Sequence, residues 1–433
     1  MRDMKNSGVE WIGEIPTHWS VSKVGMFYNV VLGKMLQPEQ NKASDTYENY
    51  LCAANLGNNT LKYDILKQMW FSEKDRQQYE VQKGDLIVVE GGDVASCDIV
   101  RNEVNNLYIQ NALHRVRAKM DFSLEFLRYS LMMAKAQGYI SLICNKATIA
   151  HFTKDKFMSL PFLVAPIDEQ LKIVQVLDEK CGQVNTLIAN VQRQIERLKA
   201  YKQSVITEVV TKGLDSTVPM KNSGVEWIGE IPEHWSIVSL GGITTEIRNG
   251  YVGPTRDLFF DTGVRYIQSL HTKDGAIDFD KHPYYVSEEW ANEHPKIHTG
   301  DVLIVQTGDI GQVALVNPDF DGCNCHALII ATPNTEVIDP AYLTFYLLSH
   351  TGKELMLSFK TGALLPHLNS GKIKSTPVCV PDLETQRNIV DFLNTKVRLT
   401  DRLIAIKHAK ISKLEQYKRS LIYEYVTGKK EVL

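Results

Sequence analysis

The chain has 433 residues, of which 44% are hydrophobic and 23% are charged. One hydrophobic core rarely supports this length, so we expect two or more globular domains. The formal net charge of −3 excludes a protein that grips nucleic acid through a large overall positive charge. No apolar run approaches a membrane span or a signal peptide, and the seven cysteines are scattered, which predicts a cytoplasmic protein with reduced thiols.

A duplication runs through the whole chain. Residues 4–16 read MKNSGVEWIGEIP, and the same letters return unchanged at 220–232. The offset of 216 residues, from 4 to 220, also relates GDLIVVEGGDV at 84–94 to GDVLIVQTGDI at 300–310. Solenoid repeats are much shorter, at roughly 20–50 residues. The pattern therefore predicts two tandem copies of one structural unit.

The pattern of residue types changes once along each copy. Short β-rich runs broken by Gly, Asn and Asp come first, and they are typical of a mixed α/β domain. One local helix is predicted within that part, at 123–136 in the first copy and at 340–350 in the second. A purely helical pattern follows in both copies. The predicted segments are a globular domain at 1–165, a helix at 166–215, a second globular domain at 216–380 and a second helix at 381–433.

Both long helices carry a seven-residue repeat of apolar positions, over 174–209 and over 390–425. Such a repeat over five heptads indicates a coiled coil, and a long helix lying on a domain core is the alternative. Lys202 and Lys418 occupy matching seam positions, where a lysine either specifies register or extends its charge into water. We expect an α/β (α+β) fold with two globular domains related by a pseudo-twofold axis and separated by a pair of long antiparallel coiled-coil helices.

Motifs for catalysis and for metal binding are incomplete. The sequence contains no Asn/Asp-Pro-Pro-Tyr/Phe tetrad of an adenine methyltransferase and no complete phosphate-binding loop. PDLETQ at 381–386 begins like a nuclease motif but has Gln386 where a lysine is needed. CNCH at 323–326 offers three soft ligands without a second pair at zinc spacing. We therefore predict neither catalytic residues nor a metal site.

If this chain binds DNA, polar loops at matching places in both copies are where the contacts would be made. Bases are read by polar side chains, while Lys and Arg hold phosphates. The matched segments are 33–35 with 248–252, 55–60 with 269–275, 110–117 with 323–327, and 145–156 with 359–372. The candidate DNA-binding residues are Asn58, Arg115, Arg117, Lys146 and His151 in the first copy, and His271, Lys273, Lys360, His367 and Asn369 in the second. For each of them the alternative is a solvated, capping or buried structural side chain.

The order of domain, helix, domain, helix resembles the specificity subunit of type I restriction–modification systems over essentially the whole chain. The resemblance is carried by GVEWIGEIPTHW at 8–19 with GVEWIGEIPEHW at 224–235, by APIDEQ at 165–170 with VPDLETQ at 380–386, and by the helix ends at 198–213 and 414–429. VPDLETQ has an extra residue between its proline and its glutamine, so we expect the second helix to begin differently.

This resemblance implies a non-catalytic subunit with two target-recognition domains, each reading one half of a bipartite, asymmetric DNA site. It also implies helices that set the spacer and dock other subunits. The implied partners are double-stranded DNA, two methylation subunits and restriction subunits, with no membrane. The chain itself is expected to hold no cofactor, while S-adenosylmethionine, ATP and Mg²⁺ are expected on the partner subunits. A duplicated protein-binding scaffold without DNA specificity, and an enzyme with an unfamiliar site, are the alternatives.

Overall fold

The computed structural model describes residues 3–144, 150–362 and 366–432 as a mixed α/β protein. Contacts group the chain into two compact units: unit 1 comprises residues 1–191 with 409–433, and unit 2 comprises residues 192–408. Each unit contains one globular domain and part of both long helices. The predicted linear boundaries stay predictions, because this grouping follows spatial proximity and divides both helices.

The strands of the first globular domain are β1 Met4–Asn6, β2 Glu14–Pro16, β3 Ser20–Lys23, β4 Tyr28–Leu32, β5 Thr46–Leu51, β6 Leu56–Gly57, β7 Thr60–Leu61, β8 Lys67–Phe71, β9 Leu86–Val89, β10 Cys97–Ile99, β11 Leu107–Ile109, β12 Leu113–Ala118 and β13 Pro161–Val164. Its helices are α1 Val24–Phe27, α2 Glu73–Tyr79, α3 Leu124–Ala136, α4 Tyr139–Ile143 and α5 Lys154–Ser159, and the long helix α6 Ile167–Lys212 follows.

The strands of the second globular domain are β14 Met220–Asn222, β15 Glu230–Pro232, β16 Ser236–Ser239, β17 Thr244–Asn249, β18 Val264–Ile267, β19 Thr272–Lys273, β20 Ala276–Ile277, β21 Tyr285–Val286, β22 Val302–Val305, β23 Val313–Leu315, β24 Asn324–Cys325, β25 Leu328–Pro333 and β26 Pro377–Val380. Its helices are α7 Glu288–Glu293, α8 Pro340–Leu348, α9 His350–Leu357 and α10 Ser370–Ile373, and the second long helix is α11 Leu383–Val426.

The two domains share one sheet topology. The central sheet of unit 1 has the order β10-β9-β12-β4 with antiparallel neighbours throughout. A smaller sheet, β11-β5-β8, pairs β11 with β5 in parallel. Unit 2 repeats both sheets in the same order, as β23-β22-β25-β17 and β24-β18-β21. The duplication seen in the sequence is therefore a duplication of topology.

The central sheet of unit 1 is buried on both faces. Successive side chains of a strand point to opposite faces, so Leu86 and Val88 of β9 join the cluster around α3, while Ile87 and Val89 join the cluster that includes β11. β22 of unit 2 divides its residues in the same way. This explains the continuous apolar runs in both copies, since burial on both faces removes the alternation of a half-exposed strand.

The local helix predicted at 123–136 is α3, and Ser123 caps it by accepting a hydrogen bond from the backbone nitrogen of Phe126 at 3.1 Å. Its counterpart is not a single helix. Ser349 has an extended backbone and ends α8, and its hydroxyl accepts a hydrogen bond from the backbone nitrogen of Gly352 in α9. The predicted helix at 340–350 is therefore interrupted near its end.

The long helices contain 46 and 44 residues, so each spans about 65–70 Å at 1.5 Å per residue. In unit 2, Lys407 of α11 donates to Gln194 of α6, and Lys202 of α6 donates to Asp401 of α11, both at 2.7 Å. A later residue of α6 therefore meets an earlier residue of α11, so the two helices are antiparallel. In unit 1, Lys418 donates to Asn185 at 2.8 Å. Both seam lysines thus have a specific polar partner on the other helix.

The two long helices begin differently, as the extra residue in the second copy predicts. α6 begins directly after Pro166, whereas Asp382 stands between Pro381 and the first residue of α11. The Asp382 carboxylate accepts hydrogen bonds from the backbone nitrogen and the hydroxyl of Thr385, at 2.9 and 2.6 Å. The additional residue therefore provides a cap. None of the helices in the described residues has the length and apolarity needed to span a membrane.

Candidate nucleic-acid interface

Four loops meet at one end of the central sheet in unit 1. One loop follows β4, one follows β9 and one precedes β12. The fourth contains His151 and precedes α5. Backbone hydrogen bonds join them, from Glu90 N to Ala112 O at 2.8 Å, from Asn111 N to Lys34 O at 2.9 Å and from Phe152 N to Glu90 O at 2.7 Å. We call these segments the sheet-end loops of unit 1, residues 33–36, 90–94, 110–112 and 150–153.

Unit 2 builds the same frame from different residues. Its sheet-end loops are residues 250–253, 306–310, 325–327 and 366–369. Their backbone hydrogen bonds run from Ala327 N to Tyr251 O at 2.9 Å, from Tyr251 N to Cys325 O at 2.9 Å and from Leu368 N to Gln306 O at 3.0 Å. Where unit 1 has Lys34, Gln110 and Asn111, unit 2 has Tyr251, His326 and Ala327. The ammonium group of Lys34 is bound to Asp75, and this side chain is only 12% exposed. One geometry therefore displays two different sets of side chains.

The two predicted histidines occupy equivalent places in these loops. His151 forms an antiparallel bridge with Gly91, and His367 forms the corresponding bridge with Thr307. The His151 side chain is 52% exposed, with Nδ1 3.1 Å from the Glu90 carboxylate. His367 is half-buried, and its Nε2 lies 3.1 Å from the Thr361 hydroxyl. Both rings therefore lie at the end of the sheet, where a bound ligand could contact them.

Arg115 and Arg117 point instead to partners within unit 1. Arg117 binds the carboxylate of Asp85 through two nitrogens at 2.5 and 2.8 Å, and Arg115 donates to the carbonyl oxygen of Glu80. Asp85 is 3% exposed and Arg115 is 6% exposed. A buried carboxylate needs a cationic or hydrogen-bonding partner, so these contacts brace the fold.

Unit 2 confirms this structural role by meeting the same need differently. Asp301 and Lys296 stand at the positions of Asp85 and Glu80, 216 residues later. Arg248, from the neighbouring strand β17, lies 3.8 Å from the Asp301 carboxylate and donates to the carbonyl of Lys296 at 2.7 Å. An arginine from another strand therefore serves the same acceptors, and in unit 1 both Arg115 and Arg117 are engaged within the fold.

His271 also has an internal role. It is fully buried: its Nδ1 accepts a hydrogen bond from the backbone of Gln268 at 2.9 Å, and its Nε2 contacts the carbonyl of His282 at 2.7 Å. Burial lowers the pKa of the His271 ring, which favours the neutral form. Asn55 takes the equivalent position in unit 1 and makes equivalent bonds, to Cys52 N at 3.0 Å and to Ile65 O at 2.8 Å. Both side chains hold a short 3₁₀ turn in place.

The remaining predicted residues are distributed over several places. Asn58 and Lys273 lie exposed on equivalent hairpins, and Asn58 has a positive φ of 52° that suits a tight hairpin turn. Lys360 is exposed after α9, and Asn369 caps α10 by accepting hydrogen bonds from Gly371 and Lys372. Lys146 lies outside the described residues. As DNA contacts, all of these residues stay predictions.

The predicted residues do not include every polar side chain at the sheet ends. Gln110, Asn111 and His326 lie inside the matched segments, yet they were not among the candidates. Met35 and Val252 are also exposed there, by 74% and 65%. For the segments that contain Met35 and Val252, the sequence signal was the matched glycine before them, because an added Cβ at Gly33 or Gly250 would meet backbone atoms within 2.6 Å.

The CNCH segment belongs to the core of unit 2. Cys323 and Cys325 are buried, and burial raises the pKa of Cys325 to about 12. A thiol that stays protonated is a poor metal ligand. Within residues 3–144, 150–362 and 366–432, no group of three or more His, Cys, Asp or Glu side chains is arranged to hold a metal ion.

Two copies of an α/β domain, each followed by a long helix, define a duplicated α/β fold with long helical segments. The family model described as the type I restriction modification DNA specificity domain matches this chain twice, over residues 16–197 and 232–416. The chain therefore belongs to the type I restriction–modification DNA specificity family, as the resemblance predicted. This membership does not favour a scaffold without DNA specificity.

Curated relatives agree with this membership, and a solved structure shares the fold. The chain is 23% identical to the type I restriction enzyme MjaVIII specificity subunit of Methanocaldococcus jannaschii, over 96% of this chain and 93% of that protein. It is 24% identical to the EcoBI specificity subunit of Escherichia coli, over 76% and 70% of the two chains. A chain from a structural study of complex assembly and conformational transition of the type I R-M system aligns with a TM-score of 0.68 at 17% identity, covering 95% of this chain and 98% of that chain. This last likeness confirms the predicted fold.

Proposed function

We propose that each unit reads one half of a bipartite, asymmetric DNA target through its sheet-end loops. One observation carries the proposal: two equivalent backbone frames carry different side chains in a chain of a DNA specificity family. Equal frames would dock on duplex DNA in equivalent ways, while different side chains would select different bases. In this proposal His151 and His367 contact the two half-sites.

The long helices would set the spacer between the half-sites and dock the subunits that perform catalysis. These partners would be two methylation subunits, which use S-adenosylmethionine, and restriction subunits, which use ATP and Mg²⁺. The chain itself would contribute recognition and no catalytic residue, acting on DNA in the cytoplasm. Family membership and the names of the relatives support this assignment.

The direct test is genome-wide mapping of methylated bases in cells that express this chain together with its neighbouring methylation subunit. Cells with the methylation subunit alone are the control. We expect a new split motif with a constant gap that requires this chain. A stable complex on gel filtration without new methylation would contradict the proposal and favour the scaffold.

Matched variants test the assignment of the units. His151→Ala should relax or weaken methylation at one half-site, and His367→Ala should do so at the other half-site only. Each variant is the control for the other, since both remove an equivalent ring from an equivalent bridge. If both variants changed the same half-site, or if neither changed any, these histidines would not be base or phosphate contacts.

A further inference from the structure

A carboxylate joins the globular domain of unit 1 to the start of its long helix. Oε1 of Glu169, in the first turn of α6, lies 2.7 Å from Nε2 of His18. Oε2 of the same carboxylate accepts a hydrogen bond from the indole nitrogen of Trp19 at 3.2 Å. The two oxygens therefore face different donors, and Trp19 is fully buried.

Unit 2 repeats the two donors without the carboxylate. His234 and Trp235 follow β15 as His18 and Trp19 follow β2, and the two rings are 6.4 Å apart in both units. The position of Glu169 is taken by Thr385, whose hydroxyl is bonded to Asp382. No acceptor for the indole nitrogen of Trp235 is found among the described residues, and this nitrogen is not one of the fully buried side-chain atoms that lack a partner, so it is accessible to solvent.

A cavity of about 280 Å³ adjoins these donors in unit 2. Its lining includes His234, Trp235 and Thr385, and Lys212 adds a cation. The one carboxylate in the lining, Asp215, accepts hydrogen bonds from the backbone and the hydroxyl of Thr217, at 2.8 and 2.6 Å. It is therefore held by its own loop.

We propose that this cavity of unit 2 binds a carboxylate group, which takes the place that Glu169 fills in unit 1. One carboxylate oxygen accepts a hydrogen bond from the indole nitrogen of Trp235, and the other oxygen faces His234. The positive charge of Lys212 balances the negative charge of the carboxylate. The two-oxygen fork of a carboxylate fits two separate donors, as unit 1 demonstrates with the same pair of residues. The carboxylate comes either from a polypeptide partner or from a small free acid.

The test uses the full chain with ¹⁵N-labelled tryptophan and follows the indole N–H signals by NMR during titration with sodium acetate. Trp235→Phe identifies the signal of Trp235, and sodium chloride at equal ionic strength is the control. We expect a saturable shift of the Trp235 proton that is several-fold larger than the shifts of the other tryptophans. An unmoved signal, or an equal response to chloride, would overturn the proposal.

Exchange between the units provides a second, independent measurement. Thr385→Glu should move the Trp235 signal to its acetate-bound position and abolish the response to acetate, while Thr385→Gln should leave that response in place. Glu169→Thr should transfer the acetate response to Trp19. If Thr385→Glu still responded to acetate as the unchanged chain does, the proposed site would be wrong, whether or not Glu169→Thr folds.

The source of the carboxylate is decided by adding the purified methylation subunit without acetate. A Trp235 signal that moves to the bound position and no longer responds to acetate assigns the carboxylate to that polypeptide. A signal that keeps its acetate response in the complex assigns the cavity to a small free carboxylate. Neither result depends on DNA recognition, so this site and the proposed function can fail separately.

Discussion

At the scale of single residues, the duplication preserves hydrogen bonds more faithfully than it preserves side chains. Asp85 is paired by Arg117 from β12, whereas Asp301 is approached by Arg248 from the neighbouring strand. Asn55 and His271 likewise hold equivalent turns. What persists is the need of a buried polar group for a partner, because leaving it unpaired costs about 1–3 kcal/mol.

Removing either bracing arginine should destabilise its own unit. We expect Arg117→Ala and Arg248→Ala each to lower the free energy of unfolding by about 1–3 kcal/mol, since a nearly buried carboxylate loses its cation. Urea unfolding followed by circular dichroism measures this loss, with Lys42→Ala on an exposed loop as the control. If an arginine variant had the same unfolding midpoint as the Lys42→Ala control, the bracing role would be contradicted.

His271 offers a substitution that the other copy has already made. His271→Asn should retain most of the stability, whereas His271→Ala should lose about 1–3 kcal/mol because its backbone partners are left without a bond. Equal losses in the two variants would show that the side-chain hydrogen bonds are unimportant there.

The same histidine predicts a pH effect with a defined sign. Burial lowers its pKa from the ordinary value of 6.5, so the unfolded chain binds the proton more readily. The stability of the unchanged chain relative to His271→Asn should be constant above about pH 7 and fall as the pH decreases through 6.5. Thermal unfolding of both proteins between pH 5 and 8 measures the difference, and a difference independent of pH would refute the assignment.

At the scale of elements, the long helices combine an apolar seam with polar contacts at the lysines. Leu177, Cys181 and Val184 are nearly fully buried along α6 in unit 1. Lys202 pairs with Asp401 in unit 2, and Lys418 pairs with Asn185 in unit 1. A polar residue at a seam specifies register at some cost in stability, which suits helices that are proposed to set a fixed spacing.

Lengthening both helices by one heptad should change the gap in the DNA target. Seven residues add about 10.5 Å, or about three base pairs at 3.4 Å each, and two helical turns keep the seam facing its partner. We expect both half-sites to persist with a gap about three base pairs longer, as read by methylation mapping. Insertion into one helix alone is the control and should disrupt pairing. A motif that keeps its old gap would show that the helices do not set the spacing.

At the scale of the whole molecule, composition limits how strongly the chain can hold DNA by itself. Its 48 basic residues are outnumbered by 51 acidic ones. Phosphate contacts supply much of the affinity of DNA-binding proteins and make it depend on salt. A chain with a small negative net charge would therefore rely on partner subunits for many of the contacts with DNA phosphates.

We accordingly expect weak and poorly selective DNA binding by the isolated chain, and tight binding once methylation subunits are added. Fluorescence anisotropy on a duplex that carries the mapped motif, measured over a range of salt concentrations, tests both parts. The salt dependence of the complex should be steeper than that of the chain. Tight, sequence-selective binding by the chain alone would overturn this expectation.

The sequence by itself determined the duplication, the two α/β domains and the long helices. These features depend on spacing along the chain, and a repeat such as MKNSGVEWIGEIP or a seven-residue period is visible without coordinates. Alignment of the copies also found His151 and His367, because equivalent residues of a duplicated fold keep equivalent places. The resemblance to the DNA specificity family, and the role that it implies, followed from the same sequence motifs.

Only the tertiary structure decided which polar side chains are available to a ligand. Arg117 and its partner Asp85 are 32 residues apart, and His271 is satisfied by backbone groups of a folded loop. A sequence shows that such side chains can bond but does not show whether the bonds are already made. The sheet-end loops and the cavity beside Trp235 likewise form only when strands and helices that are distant along the chain meet in space.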